Sequence, residues 1–266
     1  MRNGLMALTR GSFVELLDKL GLDSYRLMEL ADHTIGYIKG MRDEPSGLQQ
    51  LWYASLAAGE PDASIYDGEE YIAEAWACWA VYSQKYLRAI SKPTCLANGS
   101  IVDDVGQPRL IVDLGCGVGF TTAALARLFP NAEVIGTNSL GSWQASIASN
   151  LAEKYDFKLS TDARSIGRQA DLVFASEYFE HWQQPVKHLL EAIEALSPRA
   201  MLVANAFGAR SPGHFDRYVV KGMPCDARQA SLAFNYAMRD RGYVKQLTRL
   251  WNQRPTYWKV GGELAV

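Results

Sequence analysis

The stretch Val112-Asp113-Leu114-Gly115-Cys116-Gly117-Val118-Gly119 decides the fold. Ahead of it, Leu110-Ile111-Val112 is a short apolar run. Behind it, Thr121 to Phe129 carries apolar residues at helical spacing. A strand that runs through a glycine-rich turn into a helix opens an open α/β sheet. In such sheets ligands bind outside the carboxyl ends of the strands. Glycines let the backbone approach a ligand, and the helix N-terminus offers unpaired N–H groups. The spacing is G-x-G-x-G, not the G-x-G-x-x-G of dinucleotide binders. An acidic residue, Asp113, precedes the first glycine by two.

The alternation continues downstream. Glu133 to Gly136 reads as a second strand, Trp143 to Tyr155 as a helix, and Phe157 to Leu159 as a third strand. Asp171 to Ala175 is a fourth strand, Val186 to Leu196 a helix, and Ala200 to Ala204 a fifth strand. Ala227 to Arg239 is one more helix. Val244 to Leu250 and Thr256 to Val260 flank a short turn and read as an antiparallel hairpin. The expected class is α/β, with a mostly parallel seven-stranded sheet, helices on both faces and an antiparallel C-terminal hairpin.

Upstream, the texture is helical. Ser12 and Glu15 fit a capping box ahead of Phe13, Leu16, Leu17 and Leu20, and Gly21 ends that helix. Ser24 to Ile38 is a second helix. Leu48, Leu51, Trp52 and Leu56 suggest a third. Asp67 with Glu70 resembles the start of a long aromatic-rich helix that reaches Ile90. Asn98 to Pro108 reads as a polar loop. The expected division is a helical module over 1–108 and the sheet domain over 109–266. In the aromatic helix, Tyr71, Trp79, Tyr82 and Tyr86 fall near one face. That face either packs on the sheet domain or walls a substrate pocket.

From Val112 to Gly119 the chain resembles the first motif of class I S-adenosylmethionine-dependent methyltransferases, and the resemblance covers about residues 109 to 260. It implies that the backbone of Gly115, Cys116, Gly117 and Gly119 lies against the methionine part of S-adenosyl-L-methionine, with Asp113 helping to orient it. That family usually has an acidic residue at the end of the second strand, on the ribose hydroxyls. Here Asn138 stands there, followed by Ser139. An amide lacks the charge-assisted strength of a carboxylate. Asn138 also fits a simple turn role. Asp162 and Ala163 are similar to the positions that contact adenine. Ser176-Glu177-Tyr178-Phe179-Glu180-His181 looks like the Glu-His segment of members that act on small molecules. Ser176 and Glu177 are then expected beside the cofactor. Tyr178, Glu180 and His181 are the catalytic candidates, with His181 as general base or substrate orienter. The competing reading of Glu180 and His181 is loop-to-helix packing.

The expected acceptor is a small molecule. The prolines of an Asn/Asp-Pro-Pro-Tyr segment, usual in enzymes that methylate exocyclic amines of bases, are missing after the fourth strand. Cys225 matches no slot for a cytosine nucleophile. A nucleic-acid methyltransferase, or a non-catalytic partner-binding protein of the same fold, are the alternatives. Charge bears on the first. The net charge is −2, but residues 1–108 hold 9 basic and 15 acidic side chains, and residues 207–266 hold 10 and 4. The basic C-terminal region could meet a nucleic acid, or pack near the acidic N-terminal part of its own chain. Residues 22 to 45 bear a faint helix-turn-helix likeness at Leu27, Thr34 and Ile38, with Asp32 in place of the usual turn glycine. A DNA-reading helix needs excess positive charge, which the first 108 residues lack. Arg249, Trp251, Arg254, Tyr257 and Trp258 mix cations with rings that could stack bases. The plainer reading is the final two strands.

The four cysteines, Cys78, Cys95, Cys116 and Cys225, have no metal-ligand spacing, and no metal is expected. No apolar run approaches the length of a membrane span. Met1 to Met6 lacks a signal-peptide core, so cytoplasmic residence is expected. The oligomeric state stays open.

Overall fold

The computed structural model describes residues 8–139, 143–250 and 254–261. A single seven-stranded sheet organises them. Its strands are β1 (Leu110–Asp113), β2 (Glu133–Thr137), β3 (Lys158–Ser160), β4 (Leu172–Ser176), β5 (Ala200–Ala204), β8 (Tyr243–Gln246) and β9 (Thr256–Val260). The order is β3-β2-β1-β4-β5-β9-β8. The first five strands run parallel, and β9 is antiparallel to both β5 and β8. The strand order reverses between β1 and β4, so the ends of those two strands frame the crevice where open sheets take ligands. Both β1 and β5 are buried along their whole length, as strands covered on both faces must be.

Helices α7 (Phe120–Leu128) and α8 (Trp143–Tyr155) cover one face. Helices α9 (Pro185–Leu196) and α10 (Ala227–Asp240) cover the other. Pro185 at the first position suits α9, because its missing N–H would have had no helical partner. The N-terminal helices α1 (Arg10–Lys19), α2 (Ser24–Ile38), α4 (Glu70–Cys78) and α5 (Gln84–Ile90) join the core of the first face. Phe13 stacks on Trp76 at 4.4 Å, and both meet the ring of Phe120 edge-on. One apolar core is therefore continuous from α1 to the helix that follows the glycine turn. Helix α3 (Gly47–Ala57) is fastened separately: Trp52 donates to the His214 carbonyl at 2.6 Å and meets Phe215 edge-on.

Several expected boundaries move. The cap of α1 is Thr9, with Ser12 as its reciprocal partner, so the expected Ser12/Glu15 box sits one turn late. Asp67 closes a 3-10 turn at Ala63–Tyr66, and α4 begins at Glu70 without a side-chain cap. The expected loop at 98–108 contains α6 (Ile101–Val105), started by a Ser100–Asp103 capping box. The helix-turn-helix likeness fails: Asp32 lies inside unbroken α2, and its carboxylate pairs with Arg10 at 2.7 Å. The last hairpin is joined by residues 247–255 rather than a short turn; 251–253, and with them Trp251, lie outside the described residues. A hairpin of β6 (Tyr218–Val220) and β7 (Met223–Cys225) was not anticipated. Between α4 and α5, residues Trp79–Ser83 form a π turn. No helix among the described residues is long and apolar enough to cross a membrane.

Candidate active site

The turn after β1 is built on three glycines with positive φ: Gly115 at 67°, Gly117 at 53° and Gly119 at 90°. Side chains rarely tolerate that region. The turn is clamped from β2. Thr137 Oγ1 accepts from the Gly115 N–H at 3.0 Å, and the Thr137 carbonyl accepts from Cys116 N–H at 2.9 Å. Asn138 Nδ2 donates to the Gly117 carbonyl at 2.6 Å. Gly136 makes this approach feasible, since a Cβ there would lie 2.8 Å from Cys116 Cβ and Sγ.

Asp113 is buried beneath the turn and accepts from Thr122 Oγ1 at 2.6 Å. Burial pushes its carboxyl up to about 7, against the opposing hydrogen bond from Thr122. Burial also raises the Cys116 thiol, helped by the nearby Asp113 charge.

Gly115 to Val118 line one wall of a cleft. Ser176, Glu177 and His181, which follow β4, line a second wall. Tyr71, Glu74, Cys78 and Trp79 line a third, with Ser211, Pro212 and His214 closing the site. The sequence-derived candidates thus divide. Gly115, Cys116, Gly117, Ser176, Glu177 and His181 share the cleft. Asn138, Ser139, Asp162 and Ala163 do not line it. Asp162 is exposed and precedes the 3-10 turn at Arg164–Ile166, accepting from Ser165 N–H at 2.9 Å; that hydrogen bond holds its carboxyl below the usual range. Gly119 faces Phe157 and Ala148 instead.

The three catalytic candidates occupy different surroundings. The Tyr178 ring lies so close over Gly115 that a Cβ on the glycine would collide with it, and its hydroxyl bonds His188 Nε2 at 2.5 Å. Glu180 is fully buried, and its Oε1 accepts from the Ala206 N–H at 2.5 Å, tying the end of β4 to the loop after β5. His181 Nδ1 lies 2.8 Å from Tyr66 Oη and its ring is edge-on to His214 at 4.7 Å. Gly213 permits this pairing, because a Cβ there would collide with both Tyr66 Oη and His181 Nδ1. Burial, and then the neighbouring His214, hold His181 well below its ordinary pKa, so the ring is neutral. Burial takes His214 down to about 4 and pushes Tyr66 well up, so the tyrosine keeps its proton.

Glu177 sits at φ 52°, a strained value for a residue with a side chain. Burial raises its carboxyl well above the usual range, the Glu180 charge adds to this, and Arg254 opposes it. Burial also lifts Glu180 to about 7. Buried atoms of the site lack partners, namely Trp79 Nε1, Ser176 Oγ and Glu180 Oε2. A second chamber adjoins the cleft and shares Glu74, Cys78, Glu177 and His214 with it. Its far walls carry Tyr37, Tyr82, Tyr86, Arg210 and Arg254. Aromatic residues from Tyr71 to Tyr86 therefore line both cavities, and Trp79 also packs in the core against Phe120. Two basic residues of the C-terminal region turn toward the N-terminal part: Lys259 pairs with Asp104 at 3.0 Å and Arg210 lies over the Tyr53 ring.

Tyr66, Glu74 and His214 were not singled out from sequence. Tyr66 sits in a short turn with no periodicity. His214 had only the weak signal of being one of four histidines, in a Ser-Pro-Gly-His turn.

Residues 112–204 match the family described as "Methyltransferase domain". A trans-aconitate 2-methyltransferase of Methylobacterium radiotolerans is 34% identical over 107 residues, which is 40% of this chain and 35% of the relative. A second trans-aconitate 2-methyltransferase, from Rhodopseudomonas palustris, is 29% identical over 46% of this chain and 48% of its own length. The chain thus spans less than half the length of either relative. Among solved structures, an O-methyltransferase family protein from Burkholderia thailandensis aligns with 81% of this chain and 70% of its own at a TM-score of 0.53 and 17% identity. Human N-acetylserotonin methyltransferase, solved with its cofactor, aligns with 96% of this chain and 72% of its own at 0.50 and 16%. These two share the fold. Residues 112–204 of this chain are thus similar to a methyltransferase domain, and its sheet has the fold of those two solved structures.

Proposed function

We propose that this protein transfers a methyl group from S-adenosylmethionine to an oxygen of a small molecule. One observation carries the reading. The glycine turn and the Glu177–His181 segment face each other across one cleft, and that cleft adjoins a second chamber with which it shares Glu177 and His214.

The cleft suits the methionine end of the cofactor. Gly115, Cys116 and Gly117 form one wall, and Ser176 Oγ and Trp79 Nε1 are buried polar atoms without a partner. When bound, the cofactor supplies an already activated methyl group, so the protein's task is alignment and exclusion of water. Asp113 and Asn138 act on the turn from below and from the side. His181 takes the acceptor proton. With Nδ1–H donating to Tyr66 Oη, its Nε2 carries the lone pair. The acceptor occupies the second chamber, whose Arg210 and Arg254 favour an anionic group. The methyl acceptor of the curated relatives, trans-aconitate, is such a molecule. Four free cysteines fit a reducing, cytoplasmic setting.

Calorimetric titration with S-adenosylmethionine and S-adenosylhomocysteine tests the reading. Saturable one-to-one binding supports it and opens a screen of small carboxylic acids and phenols for methyl ester or ether formation. Failure of folded protein to bind either ligand overturns it.

A further inference from the structure

We propose that Glu177, Glu180 and His214 form a binding site for one divalent transition-metal cation, at the junction of the cleft and the second chamber. A carboxylate oxygen from each glutamate and a ring nitrogen of His214 all lie within 4.8 Å of one another. Metal bonds of about 2.1 Å hold neighbouring ligand atoms roughly 3–4 Å apart, so the three groups need to close by about an ångström.

Two further observations point to a ligand. Glu180 is fully buried, and while its Oε1 is used by Ala206, its Oε2 has no partner. A buried carboxylate oxygen left bare is costly unless something positive meets it. Among the described residues, neither glutamate has a lysine or arginine within 4.0 Å; the nearest ion-pair geometry is His214 Nε2 to Glu177 Oε2 at 3.9 Å. His214 itself is set as a ligand. Its Nδ1 lies 2.9 Å from the Ala209 carbonyl. A neutral ring that donates there has its lone pair on Nε2, the atom that faces Glu177. Metal-binding histidines are oriented by such a carbonyl bond on the other nitrogen.

The donor set selects the ion. Two carboxylates and one imidazole suit manganese or zinc better than magnesium, which prefers an all-oxygen octahedron that keeps its water. Three protein ligands leave positions open, and Glu177 and His214 line both cavities. The open positions thus face the acceptor chamber. There, on the methyl-transfer reading above, the cation would hold an oxygen of the acceptor and make its proton easier to remove. The competing account of the same geometry is a proton shared between the two carboxyl groups, with no metal.

The test uses the full chain, dialysed against a chelator and titrated separately with zinc, manganese and magnesium chlorides. Saturable binding of one zinc or manganese per chain is expected, with magnesium at least tenfold weaker. Glu177→Gln and His214→Gln should each weaken binding tenfold or more, while Glu133→Gln, on the far edge of β2, should not. Cobalt loaded into the wild type should show the strong visible bands of a four- or five-coordinate ion, which requires no variant to fold. No saturable binding, binding indifferent to both substitutions, or only the weak spectrum of an octahedral aquo ion would each overturn the site and leave the shared proton. Titration of the same samples with S-adenosylhomocysteine separates the two proposals: cofactor binding without metal sinks only the metal site, and metal binding without cofactor sinks only the methyl-transfer reading.

Discussion

The Asn138 side-chain amide donates to the Gly117 carbonyl at 2.6 Å, so the residue expected on the cofactor ribose also holds the glycine turn. An aspartate at this position would lose the donor and set an anion against a carbonyl oxygen. Asn138→Asp should therefore weaken S-adenosylhomocysteine binding, by about tenfold, the worth of one hydrogen bond of roughly 1.4 kcal/mol. Calorimetry reads it. Tighter binding by the variant would mean that position 138 does reach the ribose and that the amide bond to Gly117 gives way.

Gly117→Val should abolish cofactor binding with the fold retained. The φ of 53° is unfavourable for a β-branched residue, and a Cβ there would meet Gln144 Oε1 at 3.6 Å, so the turn that lines the cleft must distort. The strain costs about 1–3 kcal/mol, within what a domain of this size tolerates. Unchanged cofactor affinity would mean that the site is not at this turn.

Asp113 makes a pH-dependent prediction. Its folded-state pKa is raised from 3.8 to about 7. A raised acid stabilises the fold fully below its unfolded value and loses that contribution as pH rises through the folded one. Asp113→Asn has no such loss. Between pH 5 and pH 8 the stability difference should move in the variant's favour by up to about 3 kcal/mol, as the shift implies. Denaturant melts at the two pH values measure it. A constant difference would mean that Asp113 is ionised in the fold throughout.

Much of this architecture was legible in the chain, and the rest was not, for physical reasons. Buried parallel strands such as Ala200–Ala204 announce themselves as apolar runs between helical repeats, so five parallel strands and the glycine turn could be read directly. The β6–β7 hairpin could not: each strand has three residues, and only Lys221-Gly222 marks the turn. The five-residue α6 was hidden in polar sequence for the same reason of length. Gly115, Gly117, Glu177 and His181 were visible because motif and strand end coincide. His214 reaches the cleft, and Tyr66 reaches His181, only through tertiary folding, from 33 and 115 positions away from His181, and no local spacing encodes that.

Tyr66→Phe separates positioning from chemistry. The hydroxyl contacts His181 and does not line the cleft, so its loss should lower kcat several-fold, with KM for the acceptor nearly unchanged, once an acceptor is found. His181→Ala should lower turnover further, by about 100-fold for loss of a general base, with cofactor affinity little changed. Equal effects on kcat and on cofactor affinity would place His181 in binding instead. Unchanged turnover in His181→Ala would remove it from the reaction.

The π turn at Trp79–Ser83 interrupts a rod that otherwise runs from Glu70 to Ile90. Tyr71 and Trp79 look into the cleft beside the glycine turn, whereas Tyr82 and Tyr86 look into the adjoining chamber. Each residue added to or removed from a helix turns everything beyond it by about 100°. Loss of one residue from the π turn would therefore swing Tyr82 and Tyr86 away and bring other side chains to the chamber wall, while Tyr71 stayed in place. The two cavities can thus be edited independently within one helix, and on the methyl-transfer reading such an edit would change the acceptor chamber while leaving the cofactor wall in place.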